Sequence, residues 1–361
     1  MRFSLLLLAL FVFHVGKAQP LALEKLGFTP LTVSNCTAVK DQYLSATCWS
    51  FSSVSLLESE VMRKGKGEVD LSEMFIARYS MLRKIERHLQ LKGSNYFTPG
   101  GQFHDMIWVI KNFGIVPEEV YAGKSRGEIN HDHGEMDTAI SKIVTGLLQK
   151  NVTVLHAKQK AAIDSLLNYY YGPVPASFLF KGKEYTTHTF VKDYLGINPD
   201  DYVEITSYTH HPFYTKFVLE DKYNWTGDAY WNVPLADFTR ITDMALDKGY
   251  TVGWDGDAAD PDFKFGEGLA YIQDGLQNYS TTQRQLDFET ETTLLDHMMH
   301  IVGRKKEGNA HWYYVKNSWG DYSNPLGGFL YMREDYFALR TVAIIVNKAA
   351  IPQDIRSKLK L

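Results

Sequence analysis

The chain changes its apolar periodicity partway along, and this constrains the fold more than any other feature of its sequence. Up to about Leu167 the spacing is helical. Val54, Leu57 and Val61 share one face ahead of Gly65 and Gly67, and Phe75, Tyr79, Leu82, Ile85 and Leu89 form a second stripe behind Ser72, a good N-cap. A third helix is predicted from Phe103 to Phe113, closed by Gly114, and residues 137–167 are again helical with a break near Asn151. Beyond about Asp201, the runs "GYTVGW", "DHMMHIVGR", "HWYYVKNSW", "GGFLYMR" and "ALRTVAIIVNK" lie between turn-forming residues and read as strands. Helices followed by strands predict an α+β fold. With 361 residues, 45% of them hydrophobic, the chain can bury two adjoining cores. We expect a mainly helical lobe over 19–200, a β-rich lobe over 201–352 and a short tail over 353–361.

The first 18 residues read as a secretory signal: Arg2, an apolar run from Phe3 to Phe13, then Gly16-Lys17-Ala18 for cleavage near Ala18. The expected location is therefore periplasmic or extracellular. Removing Arg2 and Lys17 takes the formal charge from −4 to −6, which argues against nucleic acid, and no later stretch has the length of a membrane span. Nothing in the sequence specifies an oligomer or a cofactor. Export raises the alternative that Cys36 and Cys48, the only cysteines, form a disulfide, although a chain of this size has core enough without one.

The stretch "QYLSATCWSF" (42–51) places Cys48 in the first turn of a predicted helix. There the unpaired N–H groups favour a thiolate and lower the thiol pKa. A thiol nucleophile needs a base, and the base needs a group to orient it. If the polar segment Arg304 to Ala310 is a hairpin connection centred on 307, His297 and Asn317 are directly opposed on one face, with Cβ atoms ~5 Å apart. Asn317 can then accept the imidazole N–H and leave the other nitrogen for the sulfur. His300 points to the opposite face, and His311 lies ~20 Å along the strand from Asn317. Gln42, with the backbone N–H of Cys48, can serve an oxyanion.

Gln42, Cys48-Trp49, His297 and "NSWG" (317–320) resemble the active-site words of papain-like cysteine peptidases, in the same order. "LSEMFIARY", "GGQFHDMIWVIKNFGIVPEEVY", "HMMHIVG" and "YYVKNSWG" look like the bleomycin hydrolase and aminopeptidase C branch, as does the interval of 249 positions from Cys48 to His297, longer than papain's ~130–150. The resemblance implies a two-lobed papain-like fold with a helical N-terminal lobe and an antiparallel sheet in the C-terminal lobe. It implies peptide substrates, no cofactor or metal, Trp49 and Trp319 as supporting residues, and Gly100, Gly101 and Asp255 or Asp257 near the substrate cleft. Ala46-Thr47 departs from the Gly-Arg usual in the branch. Only nine residues follow Pro352, so the C-terminal arm that makes branch members aminopeptidases is expected to be short. Exopeptidase and endopeptidase action are both left open.

Other motifs are weaker. "HDHGEMD" (131–137) lacks the i, i+4 histidine spacing of a zinc helix and reads as a solvated acidic loop, and His210-His211 is judged likewise. In "DGDAADPD" (255–262), Asp260 and Gly266 stand where a calcium loop needs glycine and glutamate. No phosphate loop or serine-nucleophile elbow is present. Two rival functions remain: a non-catalytic peptide-binding protein on the same scaffold, or an enzyme that hydrolyses or transfers a non-peptide amide.

Overall fold

The computed structural model describes residues 34–273, 279–307 and 309–361, all within one compact unit spanning 31–361. The predicted signal segment, 1–18, lies outside the described residues. The helices are α1 (Cys48–Arg63), α2 (Glu73–Gln90), α3 (Phe103–Phe113), α4 (Gly134–Gln149), α5 (Ala157–Tyr171), one turn α6 (Thr187–Thr189), α7 (Leu235–Asp247), α8 (Thr281–Glu289), α9 (Glu334–Arg340) and α10 (Gln353–Leu359). Ser72 caps α2 as expected, accepting the Phe75 N–H at 3.0 Å. None of the described helices is long and apolar enough to cross a membrane.

Helix α1 is buried almost all round, which its serines make feasible: they are small, and the hydroxyls of Ser50, Ser52 and Ser53 find backbone acceptors. Ser50 donates to Glu73 O at 2.7 Å, and Ser52 to Met299 O at 2.6 Å, which ties the helix to the sheet. A satisfied hydroxyl avoids the penalty of an unpaired buried polar group.

A small hairpin, β1 (Phe178–Phe180) with β2 (Lys183–Tyr185), stands apart from one ten-stranded sheet. The sheet comprises β3 (Tyr202–Thr206), β4 (Lys216–Val218), β5 (Ala229–Asn232), β6 (Val252–Gly256), β7 (Phe263–Lys264), β8 (Leu269–Ala270), β9 (His297–Glu307), β10 (Ala310–Lys316), β11 (Phe329–Arg333) and β12 (Thr341–Asn347). Their order is β4-β5-β3-β12-β6-β9-β10-β11-β8-β7, antiparallel except where β3 meets β5 and β8 meets β11. Period-two alternation sends Met298 and Ile345 into the core shared with α1–α5, and Met299, Ile301, Ile344 and Val346 into a second core with α7, α9 and α10.

The hairpin that carries the predicted base differs from expectation. The β9–β10 ladder continues out to the Glu307–Ala310 pair, so Arg304 to Glu307 are strand, with Arg304 bonded to Asp247 at 2.6 and 2.9 Å. In that register His297 and Asn317 would face opposite sides. A β-bulge restores them: Tyr314 pairs with Gly303 but Val315 with Ile301, leaving Val302 unopposed and shifting the remaining ladder by one. The residues "ALR" are the end of α9 rather than strand. His131 and His133 are also buried, not solvated, near Phe51 and Tyr171, and burial lowers their pKa to about 3 and about 4.

Candidate active site

Cys48 begins α1 directly after Ala46, which takes the left-handed backbone at φ 54°, and Thr47, whose hydroxyl bonds that of Ser45. The sulfur meets the backbone N–H groups of Met298 and Trp49. Both cysteines are free thiols, so the disulfide alternative does not describe this fold. Trp49 is buried, its indole N–H bonded to Pro99 O at 3.1 Å. Gly101 lies so close beneath it that a Cβ would stand 2.8 Å from the indole and 2.9 Å from the Asp105 carboxylate. The buried Lys84 ammonium holds the adjoining loop through Gly100 O and, at 2.6 Å, Thr98 O.

On the sheet side, His297 Nε2 is 2.7 Å from Asn317 Oδ1. The Ser318 N–H donates to the same oxygen at 2.7 Å, which identifies it as the carbonyl oxygen of the amide. His297 must then donate from Nε2, leaving the Nδ1 lone pair for the thiol. Trp319 covers this contact, its ring 4.7 Å from the imidazole and edge-on to Phe265 at 4.8 Å. His300 faces α1 instead, with Nδ1 2.9 Å from Ser55 Oγ.

Gln42 links the two sides. Its N–H donates to Ser318 O at 2.8 Å, and its side-chain oxygen accepts from Ser318 Oγ at 2.7 Å, so the amide NH₂ is the group left to serve an oxyanion. Gln42, Cys48, Gly100, Gly101, His297 and Trp319 all line one cavity of about 320 Å³. Asn317 stands behind His297.

Asp257 does not line this cavity. One of its oxygens accepts the N–H groups of Ala259 and Asp260 at 2.9 and 2.8 Å, and the other accepts that of Leu294 at 2.8 Å. It shapes the turn and holds the approach to His297, because both oxygens are committed to backbone. Sequence reasoning missed Tyr96, Tyr223, Leu295, Asp296 and Met298, which also line the cavity. Tyr223 packs on Gly100 and Tyr96, a contact across more than a hundred residues that no local pattern announces.

The electrostatics also differ from expectation. Burial pushes the Cys48 thiol up to about 12, opposed by the two N–H groups and reinforced by Asp255 and Asp296, while burial lowers His297 to about 4, opposed by Asn317. The helix terminus favours the thiolate, and desolvation of the sulfur opposes it. Elsewhere, His210 and His211 share Glu220 at 3.1 and 2.6 Å. His210 Nδ1 accepts from the Gln285 amide at 2.9 Å, because Gln285 Oε1 is fixed by the Thr209 N–H at 2.6 Å. His210 Nε2 is thus the donor to Glu220, and a nitrogen that gives its proton to a carboxylate is not free to hold a metal.

Residues 31–233 match the papain family cysteine protease, and residues 176–361 match the Peptidase C1-like family. Aminopeptidase C from Lactobacillus delbrueckii subsp. lactis is 22% identical, over 88% of this chain and 81% of its own length. Bleomycin hydrolase from Gallus gallus is 21% identical, over 88% and 81%. The crystal structure of PepW from Lactobacillus rhamnosis superposes with a TM-score of 0.72 at 20% identity, covering 93% of this chain and 86% of that one.

Proposed function

Because this chain belongs to the papain family of cysteine proteases, in the branch of aminopeptidase C and bleomycin hydrolase, we propose that it hydrolyses peptide bonds through Cys48, His297 and Asn317, with Gln42 serving the oxyanion. The fold is the papain-like α+β fold, and the enzyme is a cysteine-type peptidase. The observation that carries the assignment of residues is the 2.7 Å His297–Asn317 bond, whose polarity is set by Ser318.

The substrate carbonyl sits between the sulfur and the Gln42 amide. As sulfur attacks, its proton passes to His297 Nδ1, a C–S bond forms, and the carbonyl oxygen takes up negative charge facing Gln42 and the Cys48 N–H. The imidazolium, steadied by Asn317, gives that proton to the leaving nitrogen as the C–N bond breaks. Water, deprotonated by His297, then cleaves the thioester and returns the thiol. Trp319 keeps solvent from competing for the His297–Asn317 bond.

Several relatives are named aminopeptidases, and an exopeptidase is the form we favour. Export after cleavage near Ala18 belongs to the same proposal, and N-terminal sequencing of the secreted product tests it. The chemistry is tested with Cys48→Ala and His297→Ala on aminoacyl and peptidyl amides. Each is expected to reduce turnover by at least about 10⁴-fold with the fold intact, and the double variant to lose no more. Full activity in Cys48→Ala would dismiss the mechanism, and an inactive parent protein would favour the peptide-binding alternative.

A further inference from the structure

Strand β6 holds an acid with no partner. Asp255 is 0% exposed, and neither of its carboxylate oxygens has a hydrogen bond to any described residue. Its cross-strand neighbours are Met298 on β9 and Ala343 on β12, so its side chain leaves the sheet on the same face as Met298, which floors the cavity. Two residues earlier on that face, Gly253 lies beneath Phe103 of α3, where a Cβ would come within 2.4 Å of the ring. The groups that face Asp255 are Cys48 from α1, Glu204 from β3, Tyr208, Asp221, Tyr230 from β5, and Asp296. The charged ones among them are all acids. A buried carboxylate without a partner holds its proton, and burial here raises the Asp255 pKa well above the usual range.

The surroundings extend this acidic character. Asp296 lines the cavity, and beyond Tyr223, Leu295 and Asp296 lies a second pocket of about 400 Å³ with Glu220, Asp221, Glu289 and Glu291 on its walls beside Lys222. Tyr223 stands between the two spaces, edge-on to Tyr96 at 5.4 Å. Its loop is firmly held: Asn224 Nδ2 donates to Leu219 O at 3.1 Å and Asp228 O at 2.9 Å, and the Trp225 indole donates to Asp105 at 3.0 Å. His297 and Trp319 mark the side of the cavity where the leaving amine departs. The end lined by Tyr96 and Tyr223 therefore receives the acyl part of the substrate.

We propose that Asp255 receives a primary ammonium group on the acyl side of the substrate, in the first place the free α-ammonium of the peptide N-terminus. This rests on the peptidase reading and adds the group that would make the enzyme an aminopeptidase. Asp255 itself does not line the cavity, but its cross-strand neighbour Met298 does, and that unbranched side chain can turn aside at small cost. On binding, the carboxylic acid gives its proton to solvent and the carboxylate pairs with the ammonium. The buried acid acquires the partner it lacks, and the ammonium offsets the acids around it.

The test uses Cys48→Ala protein, which holds substrates without turning them over, and isothermal titration with Leu-Gly-Gly, N-acetyl-Leu-Gly-Gly and N-acetyl-Lys-Gly-Gly in buffers of different ionisation enthalpy. The free tripeptide is expected to bind about 10- to 100-fold tighter than its acetylated form, the range of a charge-assisted hydrogen bond, with release of a proton at pH 7. Asp255→Asn, nearly isosteric, should erase both the preference and the release. Tight binding of the acetyl-lysyl peptide that Asp255→Asn abolishes also supports Asp255, with the side chain as the source of the ammonium. Equal binding of free and acetylated peptides, or a preference that survives Asp255→Asn, overturns the proposal. Proton release is read with Asp255 in place, so the proposal can be refuted even if the variant does not fold. Discrimination without turnover in the Cys48 protein would retain Asp255 and discard the peptidase reading.

Discussion

The two walls of the cleft are held by different means. The helical wall is set by close packing and buried contacts to backbone: Cys48 cannot leave the first turn of α1, and Trp49 is clamped between Pro99 O and the bare Cα of Gly101. The sheet wall depends on register. His297 opens β9, Asn317 follows the last residue of β10, and only the bulge at Val302 brings their side chains to one face. A packed wall tolerates no added volume, whereas a register-set wall relies on a few directional bonds. Substitutions on the two sides should therefore fail in different currencies, stability on one and rate on the other.

Gln42 bridges the walls and, outside the Cys48–His297 pair itself, should show the largest loss. Gln42→Ala removes one oxyanion donor and leaves Ser318 Oγ without its acceptor, so kcat is expected to fall by about 10²–10³-fold with KM little changed. Steady-state kinetics on one amide substrate checks this. A fall confined to KM would mean that Gln42 only binds.

Gly101→Ala examines packing alone. The added methyl meets the Trp49 ring and Asp105, both fixed, so a loss of about 1–3 kcal/mol in stability is expected, read as a lower midpoint in urea unfolding. An unchanged midpoint would show that the helical wall can give way.

How much of this was legible beforehand follows the same division. Helix α1 and its cysteine follow from periodicity and glycine stops, and α3 ends at Phe113 because Gly114 takes a positive φ of 79°. The pairing of His297 with Asn317 was reached through a symmetric turn centred on 307, yet the ladder extends to the Glu307–Ala310 pair, and the bulge cancels the resulting change of face. Residue spacing can suggest that two side chains meet without revealing the route. The tyrosines that line the cavity were invisible because Tyr223 is placed by Gly100 and Tyr96 and by the bond that ties Trp225 of its loop to Asp105, all tertiary. The high thiol pKa was missed because helix-end electrostatics is local, whereas desolvation depends on what the whole fold puts over the sulfur.

The pH dependence sharpens the sheet side. His297 is lowered to about 4, below its unfolded value of ~6.5, so its imidazole stays a usable base well into mild acid. The acid limb of kcat/KM is expected near pH 4 rather than above 6. Asn317 raises this pKa, so Asn317→Ala should move the limb lower while slowing turnover. The sign for stability follows: the unfolded chain gains a proton between about 6.5 and 4 that the fold refuses, so His297's contribution is complete above 6.5 and lost as pH falls through that window. An acid limb at 6.5 or higher would mean that attraction between thiolate and imidazolium outweighs burial.

The smallest effect on activity is expected far from both walls. Residues 353–359 form α10, with Ile355 and Leu359 buried in the second core and Asp354 paired with Arg240 at 2.7 Å on the surface. If Asp255, beside a cavity end lined by Tyr96 and Tyr223, selects on the acyl side, then α10 has no part in choosing between free and blocked N-termini. Leu359→Ala should cost about 2–5 kcal/mol of stability, as a buried leucine does, while the ratio of rates on free and acetylated substrates stays within about twofold. Asp354→Ala should barely register in either measurement, since solvent screens an exposed pair. A change in that ratio in Leu359→Ala, at a temperature where the protein remains folded, would mean that the C-terminal helix and the cleft are coupled through the sheet and that the two walls are less independent than their contacts indicate.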